Sequence, residues 1–132
     1  NGQAVKTLGH CFHPNTKLKL LDGKFVKINQ IELGDILENG SKVISTMKLI
    51  KNNTDIFYEI FDPTYKQKIY VTGTHMVRYN SKFIEVNKHA DAVLKNNVKC
   101  EYLSCLITHD HIIQIGSRVF WDYEDKEIRS YN

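Results

Sequence analysis

Apolar and polar positions alternate along most of the chain, and this pattern predicts many short β-strands. Residues 17–21 and 24–28 alternate on either side of Asp22-Gly23, a dipeptide typical of a tight hairpin turn. Further strands are predicted at 36–37, 42–46, 55–61, 66–72, 76–79, 82–86, 99–108, 112–115 and 119–121. The spacing within 88–94 alone favours a short helix. Short strands separated by frequent turns predict an all-β domain, either a sandwich or a barrel.

Length and composition indicate one ordinary globular domain. The chain has 132 residues, of which 42% are hydrophobic and 25% are charged. No apolar run is long enough to cross a membrane, so we expect no membrane partner, and we expect a monomer. The net charge is +3, with lysines and carboxylates interspersed. Because a nucleic-acid-binding protein usually concentrates its basic residues in a stripe, we expect no nucleic-acid partner.

The three cysteines do not indicate a disulfide framework, because their number is odd. Cys100 and Cys105 lie on one predicted strand with side chains on opposite faces. We therefore expect both to be buried structural thiols. Cys11 stands apart from them, near the start of the chain.

Two short motifs contain groups that could break a peptide bond. Cys11-Phe12 offers a thiol, and Thr72-Gly73-Thr74-His75 offers an imidazole. A peptide amide is stabilised by resonance, so a thiol displaces its nitrogen only if it is well placed and the nitrogen receives a proton. Cysteine is the most readily ionised neutral nucleophile, and histidine titrates near neutral pH. Taken alone, either motif also fits a core cysteine or an ordinary histidine.

The order of the motifs resembles the opening of a Hint domain, the Hedgehog/intein autoprocessing family. After Cys11-Phe12 come Thr16, Asp22-Gly23, Ile28, Ile31 and Gly34-Asp35, and then the Thr-x-x-His motif. The resemblance implies an all-β, Hint-type horseshoe of many short strands with pseudo-twofold symmetry. It covers 11–123, so residues 1–10 are expected to be the stub of an upstream passenger. Residues 124–132 are expected to form a peripheral C-terminal segment.

The resemblance also implies a role for each site residue. Cys11 is expected to attack the carbonyl of His10, which makes His10–Cys11 the cleavage site. His75 is expected to protonate the departing nitrogen, with Thr72 as its helper. A third segment carries Asp110 and His111, which are expected to face the same cleft. Asp110 could orient or deprotonate a group, and His111 could polarise the thioester or a later leaving group.

The third segment also fits two other readings. His109 could be the aligned histidine instead of His111. The whole segment around Asp110 could be an ordinary solvated turn.

The activity that follows from the resemblance is a single-turnover, autocatalytic cleavage in cis, without a cofactor. An N-to-S acyl shift would give a thioester, and water or another small nucleophile would release the upstream polypeptide, which is the substrate. One alternative is protein splicing or C-terminal cleavage through Asn132, although Tyr131 stands where inteins have histidine. A second alternative is an inactive Hint scaffold that acts as a binding module.

Two histidine-containing clusters could suggest a metal site. They are His10-Cys11-x-His13 and His109-x-His111. Structural zinc is usually held by four ligands in paired short spacings, and no Cys-x-x-Cys is present. We therefore expect no dedicated metal site, although adventitious zinc could bind Cys11.

Overall fold

The computed structural model describes residues 10–124, and within this range the chain is all-β, which confirms the predicted class. Its strands are β1 (Lys17–Lys19), β2 (Phe25–Lys27), β3 (Val43–Ile50), β4 (Phe57–Asp62), β5 (Gln67–Thr72), β6 (Met76–Tyr79), β7 (Lys82–Glu85), β8 (Val93–Leu94), β9 (Tyr102–Thr108), β10 (Ile112–Ile115) and β11 (Arg118–Trp121). Two single 3₁₀ turns, Ile28–Gln30 and Val86–Lys88, are the helical elements of the described range.

The strands form four small antiparallel sheets. One pairs β1 with β2, and another pairs β3 with β9. A third has the order β5-β4-β8, and the largest has the order β10-β11-β6-β7. The β3–β9 pair runs from Val43 opposite Thr108 to Ile50 opposite Tyr102, with an irregularity between Val43 and Ser45. It joins strands that lie far apart in the sequence, and the buried apolar side chains of the described range form a single core cluster.

The predicted hairpin turn at Asp22-Gly23 is confirmed, and a second tight turn joins β6 to β7. Asp22-Gly23 lies between β1 and β2, and Gly23 adopts a φ of +92°, which glycine tolerates without steric cost. Asn80 and Ser81 connect β6 to β7 with φ values of +51° and +64°. Two positive φ angles in a two-residue loop are typical of a type I′ turn, whose twist matches that of the flanking strands.

The short helix predicted for 88–94 is wrong. The chain forms a 3₁₀ turn at Val86–Lys88 and then β8, which pairs with β4 through Tyr58 opposite Leu94. Seven residues are too few to sustain an isolated helix, whereas the exposed edge of β4 supplies hydrogen-bond partners. The strand predicted at 36–37 is reduced to two isolated bridges, Leu20 with Leu37 and Ile36 with Lys42.

The core of the domain surrounds the start of the described chain. Cys11 and Phe12 both have 0% exposure. The largest fully buried side chains are Phe12, Phe57, Phe120, Leu18, Ile28, Leu37, Ile60, Ile69, Leu103, Leu106, Ile113 and Ile115. The candidate nucleophile therefore lies in the interior. In the described part of the chain, no helix is both long and apolar enough to span a bilayer.

Candidate functional site

The segment that carries Cys11 is held between two strands, β5 and β9. On the β9 side, the N–H of Phe12 donates to the carbonyl of Ser104 at 2.8 Å, and the N–H of Ser104 donates back at 2.9 Å. On the β5 side, the N–H of His13 donates to Tyr70, and the N–H of Thr72 donates to Cys11, each at 2.9 Å. Main-chain hydrogen bonds on both sides thus fix the backbone of Cys11.

Thr72 bonds Cys11 through its side chain as well as its main chain. Its Oγ1 accepts the Cys11 N–H at 3.0 Å and lies 3.2 Å from the Cys11 carbonyl oxygen, to which it can donate. The Thr72 carbonyl accepts the N–H of His75 at 3.0 Å, which closes the turn after β5. Because that carbonyl is used by the turn, the hydroxyl supplies the acceptor for the Cys11 N–H.

His75 is fully buried, and one of its ring nitrogens is fixed by the backbone. Its Nε2 lies 2.7 Å from the carbonyl oxygen of Trp121. A carbonyl can only accept, so Nε2 carries the hydrogen. Nδ1 is then the nitrogen with the lone pair, and no hydrogen bond to it of normal geometry is found within residues 10–124.

Aromatic rings surround His75. The ring centroid of Phe12 lies 4.7 Å away, that of Phe120 5.7 Å away and that of His10 6.2 Å away. Burial, with a smaller contribution from the charge of the nearby His10, lowers the pKa of His75 to about 3, against opposing effects from the backbones of Trp121 and His10. The resting imidazole is therefore neutral at physiological pH.

Cys105 lies directly across from Cys11. Phe12 and Ser104 exchange both backbone hydrogen bonds, so the next pair, Cys11 and Cys105, is a non-hydrogen-bonded cross-strand pair. The Cα atoms of such pairs are typically about 4.5 Å apart. Both thiols are free and buried. Burial raises the pKa of the Cys105 thiol well above its ordinary value, the neighbouring Cys11 thiol raises it further, and the S–H of Cys105 donates to the carbonyl of Leu106 at 3.7 Å. Cys105 therefore remains a protonated neighbour of the candidate nucleophile.

Asp110 is bonded within the turn that joins β9 to β10. Its Oδ2 accepts from Ser41 Oγ at 2.9 Å, and its Oδ1 accepts from Thr108 Oγ1 at 3.2 Å. The N–H of Ile112 donates to Oδ1 at 3.3 Å. These contacts anchor the turn. Asp110 and His111 have different hydrogen-bond partners, and the expectation that both side chains face one cleft stays a prediction.

His111 bonds a carboxylate that the sequence did not single out. Its Nδ1 lies 2.8 Å from Asp122 Oδ2 and 3.3 Å from Glu124 Oε1. Its ring stacks on that of Trp121, with centroids 5.9 Å apart and an interplanar angle of 20°. Its backbone has a φ of +65°, in the left-handed region, which few residues other than glycine adopt.

Asp122 is buried at the end of β11, with an exposure of 1%. Its Oδ2 also accepts the N–H of Thr108 at 3.1 Å, and its Oδ1 accepts the N–H of Glu124 at 3.0 Å. Burial raises the pKa of Asp122 to about 7, although these two N–H donors act in the opposite direction. Sequence reasoning missed this residue because it opens a charged stretch that looks peripheral.

The possible metal ligands fall into separate environments. The ligand atoms of His111, Asp122 and Glu124 all lie within 4.8 Å of one another, close enough for one cation. In the state described, the two Nδ1–carboxylate contacts make this trio a hydrogen-bonded network. His13 Nδ1 accepts the N–H of Asn15 at 3.1 Å, and His109 Nδ1 accepts the N–H of Lys42 at 2.9 Å. His13 and His109 therefore each use Nδ1 to accept a backbone N–H.

The two ends of the chain lie outside the described residues. Of the expected passenger stub, residues 1–10, the structure describes His10. Asn132 and the segment 125–132 lie outside the described range.

Comparison with solved structures identifies the architecture. The crystal structure of the MchDnaB-1 intein matches with a TM-score of 0.64 at 13% identity, over 84% of this chain and 99% of that chain. The crystal structure of the gp41-1 intein matches with a TM-score of 0.60 at 15% identity, over 85% of this chain and 98% of that chain. The fold is that of the inteins. The expected Hint-type fold is thereby confirmed, and almost the whole of each intein has a counterpart here.

Among the comparisons with known proteins, the likeness to inteins comes from the solved structures. No protein-family model matches the chain, and no curated protein matches it either.

Proposed function

We propose that this domain cleaves its own chain at the His10–Cys11 peptide bond through a cysteine thioester. The observation that carries the proposal is the pairing of Cys11 with Thr72 and a buried, neutral His75. Thr72 bonds both the N–H and the carbonyl of Cys11, and the ring of His75 packs against His10 and Phe12. The substrate is the upstream polypeptide of the same chain, and each molecule reacts once.

In the first step, Cys11 Sγ attacks the carbonyl carbon of His10. The new C–S bond forms as the C–N bond to Cys11 breaks, and the thiol proton finally resides on the amine of Cys11. His75 Nδ1 can carry that proton, because it is the nitrogen with the lone pair while Nε2–H is held by Trp121. An imidazolium in this apolar site is a strong acid, so it gives the proton readily to the leaving nitrogen.

Thr72 supports this step by holding the reacting amide. Its Oγ1 accepts the N–H of Cys11, which leaves the other side of the nitrogen for an incoming proton. Cys105 faces Cys11 across the strand pair, and its S–H donates to the carbonyl of Leu106 at 3.7 Å. Because burial suppresses its own ionisation, it stays an uncharged neighbour of the reacting thiol.

In the second step, water or a small nucleophile attacks the thioester. The products are an upstream polypeptide that ends at His10 and a domain that begins at Cys11 with a free thiol.

A fusion of a passenger protein to the full chain tests the proposal. Addition of dithiothreitol or hydroxylamine should release the passenger, as seen by gel electrophoresis and intact mass. Cys11→Ala should abolish release, whereas Cys100→Ala, a matched control outside the cross-strand pair, should retain it. An intact precursor from mildly acidic to mildly alkaline pH would contradict the proposal. It would favour an inactive scaffold that serves as a binding module.

Protein splicing or C-terminal cleavage through Asn132 is a second candidate, favoured by the intein fold. It requires Asn132 to cyclise and free a downstream segment. A chain extended beyond Asn132 should then yield a succinimide-ended product, and Asn132→Ala should prevent it. Release of the upstream passenger without any cut after Asn132 would exclude this candidate.

A further inference from the structure

We infer that Asp122 is a positioning residue that orients His111 as the general base for hydrolysis of the thioester. The inference rests on the proposed acyl shift at Cys11, because only that step creates a thioester. It assigns the orienting role to Asp122 and leaves Asp110 as an anchor of the β9–β10 turn.

The carboxylate of Asp122 is held rigidly. It accepts N–H groups from Thr108 and Glu124, and it lies 2.8 Å from His111 Nδ1. A main-chain hydrogen bond also joins the two residues, because the N–H of Asp122 donates to the carbonyl of His111 at 2.9 Å. A base whose ring is fixed by a buried carboxylate is the arrangement that nucleophilic catalysis generally uses.

The charges around the ring select its tautomer. The carboxylates of Asp122 and Glu124 both lie next to Nδ1 of His111, so the ring hydrogen is favoured on that nitrogen. Nε2 then carries the lone pair and can accept a proton. Asp110 lies close enough for its charge to act on Asp122, so three carboxyl groups can stabilise an imidazolium that forms at His111.

Two residues connect this pair to the proposed thioester. Trp121 contacts both histidines, because its carbonyl accepts the Nε2–H of His75 and its ring stacks on His111. Cys105 faces Cys11 across the strand pair, and it lies close enough to Asp122 for the charge of that residue to act on its thiol. The Asp122–His111 pair is thus linked through Trp121 to His75, on the side of β9 and β11.

The backbone at His111 is consistent with a functional role. Its φ of +65° is a sparsely populated conformation, and such outliers concentrate at active sites. Two hydrogen bonds hold this conformation. The N–H of His111 donates to the carbonyl of Thr108 at 3.1 Å, and the carbonyl of His111 accepts the N–H of Asp122. In this turn, the ring of His111 lies against the carboxyl group of Asp122.

In the hydrolytic step, a water oxygen attacks the His10 thioester carbon while His111 Nε2 takes one proton from that water. The tetrahedral intermediate collapses, the C–S bond breaks, and the Cys11 sulfur takes the proton back from His111. A carboxyl group at His10 and a thiol at Cys11 result.

The test measures two release rates on a passenger fusion of the full chain. Release in buffer alone reports hydrolysis. Release in excess 2-mercaptoethanesulfonate reports thioester formation, because a thiolate needs no base. Asp122→Asn should slow hydrolysis by about 10²- to 10⁴-fold and change thiol-driven release by no more than about threefold. Asp91→Asn, an exposed carboxylate paired with Arg118, should change neither rate.

A positioning role also predicts effects that lost packing would not produce. Asp122→Glu should restore part of the hydrolysis rate, and Asp122→Asn should shift the pH profile of hydrolysis. His111→Asn, which tolerates a positive φ, should lose hydrolysis to a similar extent. The double variant should then be no slower than the slower single variant. The His111 side chain is 20% exposed, so His111→Asn should disturb the core less than Asp122→Asn does. If Asp122→Asn does not fold, His111→Asn provides the test.

Specific outcomes overturn the inference. Hydrolysis at the wild-type rate in Asp122→Asn or His111→Asn would do so, as would an equal loss of both release rates in a folded variant. A loss with Asp110→Asn and not with Asp122→Asn would assign the orienting role to Asp110. A wild-type chain that hydrolyses no thioester in buffer but releases its passenger with thiol refutes this inference alone. A wild-type chain inert to thiol refutes the acyl shift itself.

Discussion

His75 illustrates how the surroundings of one residue decide its chemical role. The sequence suggests an imidazole that titrates near neutrality and waits as an acid. Burial among aromatic rings lowers its pKa to about 3, so the resting ring holds no spare proton at physiological pH. In the proposed acyl shift it must first receive a proton, and the thiol of Cys11 can supply it. Under that proposal His75 acts as a proton carrier between sulfur and nitrogen, not as a standing acid.

Replacement of His75 should test this role directly. We expect His75→Gln to slow passenger release in excess thiol by about 10²- to 10⁴-fold, because no group then carries the proton to the nitrogen. The measurement is the rate of release from the fusion by densitometry. His89→Gln is a matched control, since His89 is also buried but packs against Tyr79. A His75→Gln rate close to wild type would argue against the proton-carrier role.

The effects of Thr72 on stability and on thioester formation should come from its hydroxyl and not from the shape of its side chain. Thr72→Val keeps the branched side chain but leaves the buried N–H of Cys11 without an acceptor, at a cost of about 1–3 kcal/mol of stability. Thioester formation should slow in parallel, and Thr72→Ser should restore both. Denaturant unfolding and thiol-driven release measure the two effects. Equal behaviour of the valine and serine variants would contradict the assigned hydrogen bonds.

At the scale of elements, the register between the Cys11 segment and β9 sets what Cys11 can contact. A non-hydrogen-bonded antiparallel pair has the Cα separation that a disulfide needs. Mild oxidation with a small-molecule disulfide should therefore join Cys11 to Cys105. Intact mass should show the loss of two hydrogens, and peptide mapping should identify the pair. Cys105→Ser should prevent the bond and Cys100→Ser should not. A bond that involves Cys100 would contradict the register.

Features that depend on neighbouring residues could be predicted from the sequence. The turns at Asp22-Gly23 and Asn80-Ser81 follow from local backbone preferences, and both form. The motif order from Cys11 to His75 was also sufficient to suggest the fold. The 88–94 prediction failed because the free edge of β4, which is remote in sequence, outweighed a weak local preference.

Features that depend on long-range pairing could not be predicted. Cys105 faces Cys11 only because Phe12 pairs with Ser104, a register that no local pattern encodes. Asp122 appears in the sequence as the first of several charged residues. Its burial follows from the way β11 ends against Thr108 and His111. A buried acid in a charged stretch is thus visible only after the sheets are assembled.

For the whole molecule, His75 and Asp122 should act in opposite directions on stability as pH changes. The pKa of His75 falls from 6.5 to about 3 on folding, so its contribution is complete above pH 6.5 and is lost as pH falls toward 3. The pKa of Asp122 rises from 3.8 to about 7, so its contribution is complete below pH 3.8 and is lost as pH rises toward 7. The two partly cancel over the shared acidic range.

Single variants should separate these two contributions. Over the range between pH 4 and 6.5, the free energy of unfolding of Asp122→Asn should rise more steeply with pH than that of the wild type. In His75→Gln it should rise less steeply. Denaturant unfolding at several pH values measures these slopes. Parallel curves for all three proteins would contradict the two shifted pKa values.

The hydrogen bond from the Cys11 N–H to Thr72 has a consequence for the reversibility of the proposed acyl shift. In that proposal, once the acyl group moves to sulfur, the nitrogen becomes an amine at the same buried position, beside an uncharged ring. Removal from water disfavours an ammonium ion, so the amine keeps its lone pair and remains able to attack the thioester again. Return to the amide therefore competes with escape, and capture by an outside molecule sets the direction of the reaction.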